Sequence, residues 1–208
     1  MNSNIERLER MIMAEPGVYD PPNVHHEFAG GGHGRKLSLI EIDQNSPTYI
    51  LMIETEAETI KNLYYPLPDV LVGMANSANR IASDTSKYLG ITALETEKNE
   101  LGNIVPTFLA RLALKKIEPE FMLVIEDVGT TGSSVAKFIN NLQSKYDVPS
   151  IEVLFTWLRQ PELPILKRKN IPYSTVINHP LRTYSSAKEC YEDPLGYCAN
   201  GIQLISRP

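Results

Sequence analysis

Two acids stand side by side in the stretch FMLVIEDVGTTGSSVAKFINN (121–141): Glu126 and Asp127, followed by Gly129, Gly132 and the hydroxyls of Thr130, Thr131, Ser133 and Ser134. The apolar run before them predicts a strand. Val135, Phe138, Ile139 and Leu142, at helical spacing, predict a helix after them, which leaves 129–134 as the turn between the two. In such a turn the glycines let backbone amides approach a ligand closely, and the hydroxyls add donors at the positive end of the helix dipole. A phosphate suits those donors. Acids directly before a phosphate cradle can accept hydrogen bonds from a sugar diol or help hold a magnesium-bound ligand, so the combination points to a phosphorylated sugar. The plainer alternative is a capped turn, in which Thr131 or Ser133 caps the helix and the acids are solvated. A Walker loop is excluded, because no lysine follows the glycine and the spacing differs.

The elements that must position these residues alternate along the chain. Ile5, Leu8, Met11 and Ile12 predict a helix over 4–14, stopped by Pro16-Gly17. KLSLIEID (36–43) predicts a strand, and Ser46-Pro47 opens a helix with Ile53, Ala57, Ile60 and Tyr64 on one face. DVLVG (69–73) predicts a strand, and Ile81, Ala82, Thr85, Tyr88 and Leu89 a helix that ends at Gly90. ITALET (91–96), FMLVIE (121–126), IEVLFTWL (151–158) and YSTVIN (173–178) are further strands, with helical patterns after the second and third. This alternation predicts an α/β fold with a largely parallel, doubly wound sheet, whose ligand crevice lies beyond the carboxyl ends of the strands. Glu126 and Asp127 fall there.

The chain has 208 residues, 42% of them hydrophobic and 22% charged, which fits one soluble domain able to bury its own core. A net charge of -5 and a single short basic run, Lys167 to Lys169, give no footprint for nucleic acid. No apolar stretch reaches membrane-span length and the first residues carry acids where a signal peptide would not, so a cytoplasmic protein without a membrane partner is expected. Cys190 and Cys198 are too few for a disulfide framework or a four-thiolate zinc site, and reduced thiols are expected. His25, His26 and His33 raise the question of a metal site, but no acid partner or supporting shell is evident. No protein metal ligand is therefore assigned. Trp157, Tyr64 and Tyr65 are read as packing residues rather than a base-stacking platform.

VIEDVGTTGSS (124–134) resembles the phosphoribosyl pyrophosphate (PRPP) signature of type I phosphoribosyltransferases, and its Glu-Asp pair is the form often seen in orotate phosphoribosyltransferases. The resemblance implies that Glu126 and Asp127 meet the ribose hydroxyls and act in catalysis, and that Val128, Gly129, Thr130, Thr131, Gly132, Ser133 and Ser134 complete the PRPP site around the 5-phosphate. It places Thr130 and Arg159 on orotate. Arg159 follows a strand where the family has an Asp-Arg pair, with Leu158 in the aspartate's place; a guanidinium offers a planar fork to a flat carboxylated pyrimidine.

Other segments extend the likeness. HHEFAGGGHGRKLSLIEID is similar to the family's hood segment, implying a substrate contact at Gly31, Gly32 or Lys36 or a simple glycine turn. VGMANSAN (72–79) takes the place of the pyrophosphate loop, with Asn76 and Ser77 as donors or as an ordinary helix cap. Glu97-Lys98 is like the acid-basic pair of one orotate branch. Lys98, counted with the catalytic residues, and Arg111 are the local cations for a leaving pyrophosphate. DPLGYCANGIQLI (193–205) is similar to that branch's ending, with Asp193 in place of its first cysteine, and is read as a structural tail. The whole implies a single domain with its core at about 67–179 and a small hood mainly from 1–66 and 180–208. It implies a Mg2+-dependent homodimer that joins orotate to PRPP, giving orotidine 5'-monophosphate and pyrophosphate, with Lys98 reaching the neighbouring site. Another acceptor base, or a PRPP-binding regulatory protein without catalysis, are the alternatives.

Overall fold

Val70–Gly73 (β3), Thr92–Leu94 (β4), Phe121–Gly129 (β7), Ser150–Leu158 (β8) and Tyr173–Asn178 (β9) form one sheet in the order β4-β3-β7-β8-β9, every neighbour parallel. Near-continuous apolar runs such as VLVG and FMLVI suit strands covered on both faces. The computed structural model describes residues 3–28 and 32–205. On one face lie α1 (Ser3–Ala14), α2 (Pro47–Leu63) and α3 (Ser77–Leu89), which bring Leu8, Ile12, Met52, Ile60 and Ile81 onto Leu71, Leu123, Leu154 and Trp157. On the other, α4 (Phe108–Ile117), α5 (Ser133–Gln143) and α6 (Pro164–Arg168) bring Leu114, Val135, Phe138, Ile139 and Leu166 onto Val72, Val124, Val153 and Phe155. The doubly wound α/β fold predicted from the alternation is the one observed. Each fully buried aliphatic side chain of this kind contributes about 1.5–3 kcal/mol of transfer free energy.

Local chemistry sets the helix ends. Ser46 Oγ accepts a hydrogen bond from Tyr49 N at 3.1 Å ahead of Pro47, and Gly90 closes α3 in the left-handed region.

A second sheet of order β10-β2-β1-β11 joins the two terminal segments: β1 (Val24–Glu27), β2 (His33–Gly34), β10 (Thr183–Tyr184) and β11 (Gln203–Ile205), flanked by α7 (Ala187–Glu192). β1 pairs with β11 in parallel and with β2 antiparallel. This sheet makes the smaller layer, while α1 and α2, which also fall within 1–66, pack on the central sheet. The apolar stripes of α1 and α2 have only the central sheet large enough to bury them, so those helices belong with the core.

Two strand expectations need correction. KLSLIEID does not form a strand: Leu37 makes an isolated bridge with Tyr19 and Leu39–Glu41 is a 3-10 turn that buries Leu37, Leu39 and Ile42 while Ile40 stays outside. ITALET splits after Leu94, and Thr96–Lys98 (β5) leaves the sheet to pair with Ile104–Pro106 (β6) as a hairpin. Thr96 causes the departure. Its Oγ1 donates to Gly73 O at 2.8 Å and accepts from Ala75 N at 2.8 Å, while its backbone exchanges hydrogen bonds with the Asn79 side chain.

Candidate active site

The strand order reverses at β3 and β7, and in open parallel sheets ligands bind beyond the strand ends at such a point. β7 runs on past β3, whose Gly73 pairs with Ile125, so Glu126 and Asp127 project beyond the end of β3. There they meet the loop that opens α3. Ser77 Oγ donates to Asp127 Oδ2, and Asp127 Oδ1 accepts from Val128 N at 2.8 Å. Asn76, just before, holds φ 73 and ψ -113, a conformation non-glycine residues rarely adopt. Gly73 permits this approach: a Cβ there would lie 2.4 Å from Asn79 Cα. Asn76 and Ser77, expected as pyrophosphate-loop donors, therefore sit beside the acids; Asn76 makes no side-chain cap, and the Ser77 hydroxyl goes to Asp127.

Glu126 is half-buried, and its carboxyl is raised well above the ordinary value, first by burial and then by the adjacent charge of Asp127, with Lys98 opposing. Lys98 therefore lies in the electrostatic reach of Glu126 of its own chain. With Asn103, Ser134, Lys137 and Asn141 it lines a hollow of about 500 Å³ between the β5–β6 hairpin and α5. Lys137, on α5, is a further cation at this hollow, and nothing in its place on an amphipathic helix singles it out in the sequence. Arg111 instead donates to Pro106 O at 3.3 Å and lines a different hollow, with Glu97 and Tyr146.

Past Glu126 the chain makes the expected turn. Val128 and Gly129 finish β7, Thr130 and Thr131 are exposed, and Gly132 takes φ 73 immediately before Ser133 opens α5. Side-chain crowding favours both glycines: a Cβ at Gly129 would stand 2.8 Å from Leu158 and Phe155 side-chain carbons, and one at Gly132, already at positive φ, 2.8 Å from Leu166 Cγ. Thr131 Oγ1 lies 3.1 Å from Ser133 Oγ and accepts from Ser133 N at 3.4 Å, while the N-cap residue itself, Gly132, has no side chain to cap the helix. The loop thus presents hydroxyls and helix-start amides to one small hollow.

The same loop forms one wall of a cavity of about 820 Å³, whose opposite wall comes from Phe28, Gly32, Tyr184 and Ser185 of the small sheet and its loops. Arg159 stands between the walls. It is buried, its backbone N donates to Gly129 O at 3.0 Å, and its Nη2 donates to Arg35 O at 2.7 Å. Its guanidinium carbon lies 5.1 Å from the Phe28 ring centre, and its Nε is buried without a partner. Burial lowers its pKa. Leu158, in the place of the family's aspartate, is buried against Gly129. Of the expected hood contacts, Gly32 lines the cavity, exposed Lys36 is not among its lining residues, and Gly31 lies outside the described residues. Trp157 and Tyr64 are buried packing residues, Trp157 donating Nε1 to His179 O at 3.0 Å. Tyr65 is fully exposed, contrary to its expected packing role, because it follows the end of α2 with nothing above it.

Comparison with protein-family models and with curated protein sequences returns no match. Solved structures do match. The orotate phosphoribosyltransferase of Aeropyrum pernix superposes with a TM-score of 0.59 at 15% identity over 84% of this chain and 93% of that one. The orotate phosphoribosyltransferase of Mycobacterium tuberculosis in complex with PRPP gives 0.58 at 15% identity over 84% and 95%. The adenine phosphoribosyltransferase of Thermoanaerobacter pseudethanolicus gives 0.54 at 10% identity over 84% and 99%. The chain shares the fold of these proteins. Among the described residues no helix is long and apolar enough to cross a membrane.

Proposed function

We propose that the protein is a phosphoribosyltransferase that joins PRPP to a carboxylated pyrimidine, with orotate as the acceptor. One observation carries the reading: a single cavity has hydroxyls and amides suited to a phosphate on one wall and the buried guanidinium of Arg159 beside it. In this reading Thr130 to Ser134 hold the 5-phosphate, Glu126 and Asp127 the ribose hydroxyls, and Arg159, with Thr130, the acceptor's carboxylate or ring oxygens. The acceptor nitrogen forms its bond to C1 with inversion as the C1–oxygen bond to pyrophosphate breaks, and the nitrogen's proton passes to solvent. The transition state resembles an oxocarbenium ion, so placement and charge supply most of the catalysis. Lys98 and Lys137 are the cations on the side where negative charge would leave.

Mg2+ arriving with the phosphates of PRPP would find Asp127 as a carboxylate nearby, while burial and that neighbouring charge favour the protonated form of Glu126, so no protein ligand is assigned to the metal. When bound it neutralises charge on the pyrophosphate. A cytoplasmic homodimer belongs to the same proposal; light scattering at assay concentration reads the dimer, and a monomer there removes that part.

Pure protein incubated with PRPP, Mg2+ and orotate is expected to consume orotate, followed by its absorbance. No turnover with orotate overturns the assignment. A panel of purine and pyrimidine acceptors then separates transfer to another base from PRPP binding without catalysis, which calorimetry would detect with no pyrophosphate released for any base.

A further inference from the structure

Four side chains from four separate pieces of chain converge behind the cavity wall: His25 on β1, His33 on β2, Cys190 on α7 and Cys198 in the loop that leads to β11. One ligand atom from each lies within 4.8 Å of all the others. Cys198 Sγ is 3.2 Å from His33 Nδ1 and 3.4 Å from His25 Nε2, and Cys190 Sγ accepts from Cys198 N at 3.2 Å. His25, His33 and Cys190 are buried and Cys198 is partly so. A tetrahedral zinc ion, with bonds of about 2.3 Å to sulfur and about 2.0 Å to nitrogen, sets neighbouring donors about 3.3–3.8 Å apart. The two sulfur–nitrogen separations approach that range.

We propose that these residues form a structural zinc site of the two-cysteine, two-histidine type. Four protein ligands close the coordination sphere, so the ion would hold structure and not activate water. The surroundings agree. The Tyr197 ring stacks on His25 with centroids 5.4 Å apart, and Gly196 sits where a Cβ would strike Cys190 O at 1.8 Å, so the loop that delivers Cys198 is pressed against the end of α7. His26, the third histidine of the segment, points elsewhere, to Asp20 at 3.3 Å. The site also has a place in the architecture: His33 follows Gly32 and Cys190 follows Glu189, two residues that line the large cavity. An ion there would pin the small sheet, the α7 helix and the cavity wall together, whatever the cavity binds.

Elemental analysis of the full chain purified under reducing conditions is expected to give about one zinc per chain, retained in His26→Ala and lost in His33→Ala and Cys198→Ser. Those two variants can also fail to fold, so the deciding measurement uses wild-type protein stripped of metal and titrated with cobalt(II). The expected spectrum has a thiolate-to-cobalt charge-transfer band and the intense visible bands of tetrahedral cobalt, saturates near one equivalent, and is abolished by zinc. Removing the metal with a chelator is expected to lower Tm by about 5 °C or more. A weak octahedral cobalt spectrum, no cobalt bound at all, or a Cys190–Cys198 disulfide that persists through purification under reducing conditions overturns the proposal.

Discussion

Ser77, the first residue of α3, gives its hydroxyl proton to Oδ2 of Asp127, near the end of β7, so the loops from two neighbouring strands share one hydrogen bond at the strand-order reversal. With Oδ1 held by Val128 N at 2.8 Å, the bond fixes the orientation in which the carboxylate meets a ligand. Ser77→Ala is expected to reduce kcat/KM roughly tenfold to a hundredfold, the effect of losing one hydrogen bond to a charged group. Asp127→Asn, which keeps the size and removes the charge, is expected to reduce turnover about tenfold or more with the fold intact. Because the two residues act together, the double variant should lose less than the two single losses combined. Full additivity in steady-state kinetics would separate them.

Thr131 tests the phosphate loop. Thr131→Val keeps the shape and deletes a donor, and calorimetry is expected to show PRPP affinity weaker by about 1.5–3 kcal/mol. Lys167, exposed and paired with Glu162 at 2.8 Å, is the control. Lys167→Ala should leave affinity and turnover unchanged. Equal behaviour of the two variants would reduce the turn to a helix cap.

Gly132 carries both a left-handed backbone and a close neighbour in Leu166. Gly132→Ala is expected to destabilise the protein by about 1–3 kcal/mol and to weaken phosphate binding with it, as the turn shifts to relieve the contact. Chemical denaturation measures the first quantity and PRPP titration the second.

Arg159→Lys keeps a positive charge but loses the planar fork. The expected outcome is an acceptor KM raised at least tenfold, on the order of 1.4 kcal/mol, with KM for PRPP little changed. A purine acceptor, if one is used at all, should not respond.

Glu56, fully buried between α2, α3 and β8, accepts from Thr156 Oγ1 at 2.8 Å and from Thr85 Oγ1 at 3.5 Å, and burial raises its carboxyl from 4.5 to about 7. Between those two values the folded state holds a proton that the unfolded state has released, so stability falls as pH rises through this window. Above about 7 the cost is fully present; below about 4.5 it is absent. Glu56→Gln removes the charge without the shape, and is expected to stabilise the protein by up to about 3 kcal/mol at pH 8 and hardly at all at pH 4.5. Urea melts at the two values check the sign.

The central sheet was legible because its strands are buried on both faces and its helices on one, so apolar runs and helical spacing both speak plainly in VLVG, FMLVI and the Val135 to Leu142 pattern. The turn at 129–134 was legible too, as its glycines are favoured by crowding from Leu158, Phe155 and Leu166. What escaped was made by distant partners. β1, β2, β10 and β11 are only two to four residues long, too short for local alternation to mark them, and β1–β11 and β2–β10 pair across the chain's two ends. Thr96 turns the chain through side-chain bonds to Gly73 O and Ala75 N, which leave no pattern in ITALET. Cys190 and Cys198 looked isolated because their partners His25 and His33 stand at the opposite end of the sequence.

That pairing across the chain bears on the order in which the molecule folds. Paired residues of the central sheet are far closer in sequence, from Val153 with Tyr173 to Val70 with Met122, than Val24 with Gln203 or Gly34 with Thr183. Closing so long a loop costs entropy that only prior ordering of the intervening chain can lower. The small sheet is therefore expected to assemble last, on a central sheet already formed, and pulsed hydrogen exchange should protect the amides of β7 and β8 before those of β1. Until that last step the turn carrying Thr130 and Thr131 would stand open to water, so a nascent or partly refolded molecule would have its phosphate-facing turn before it had an enclosed chamber.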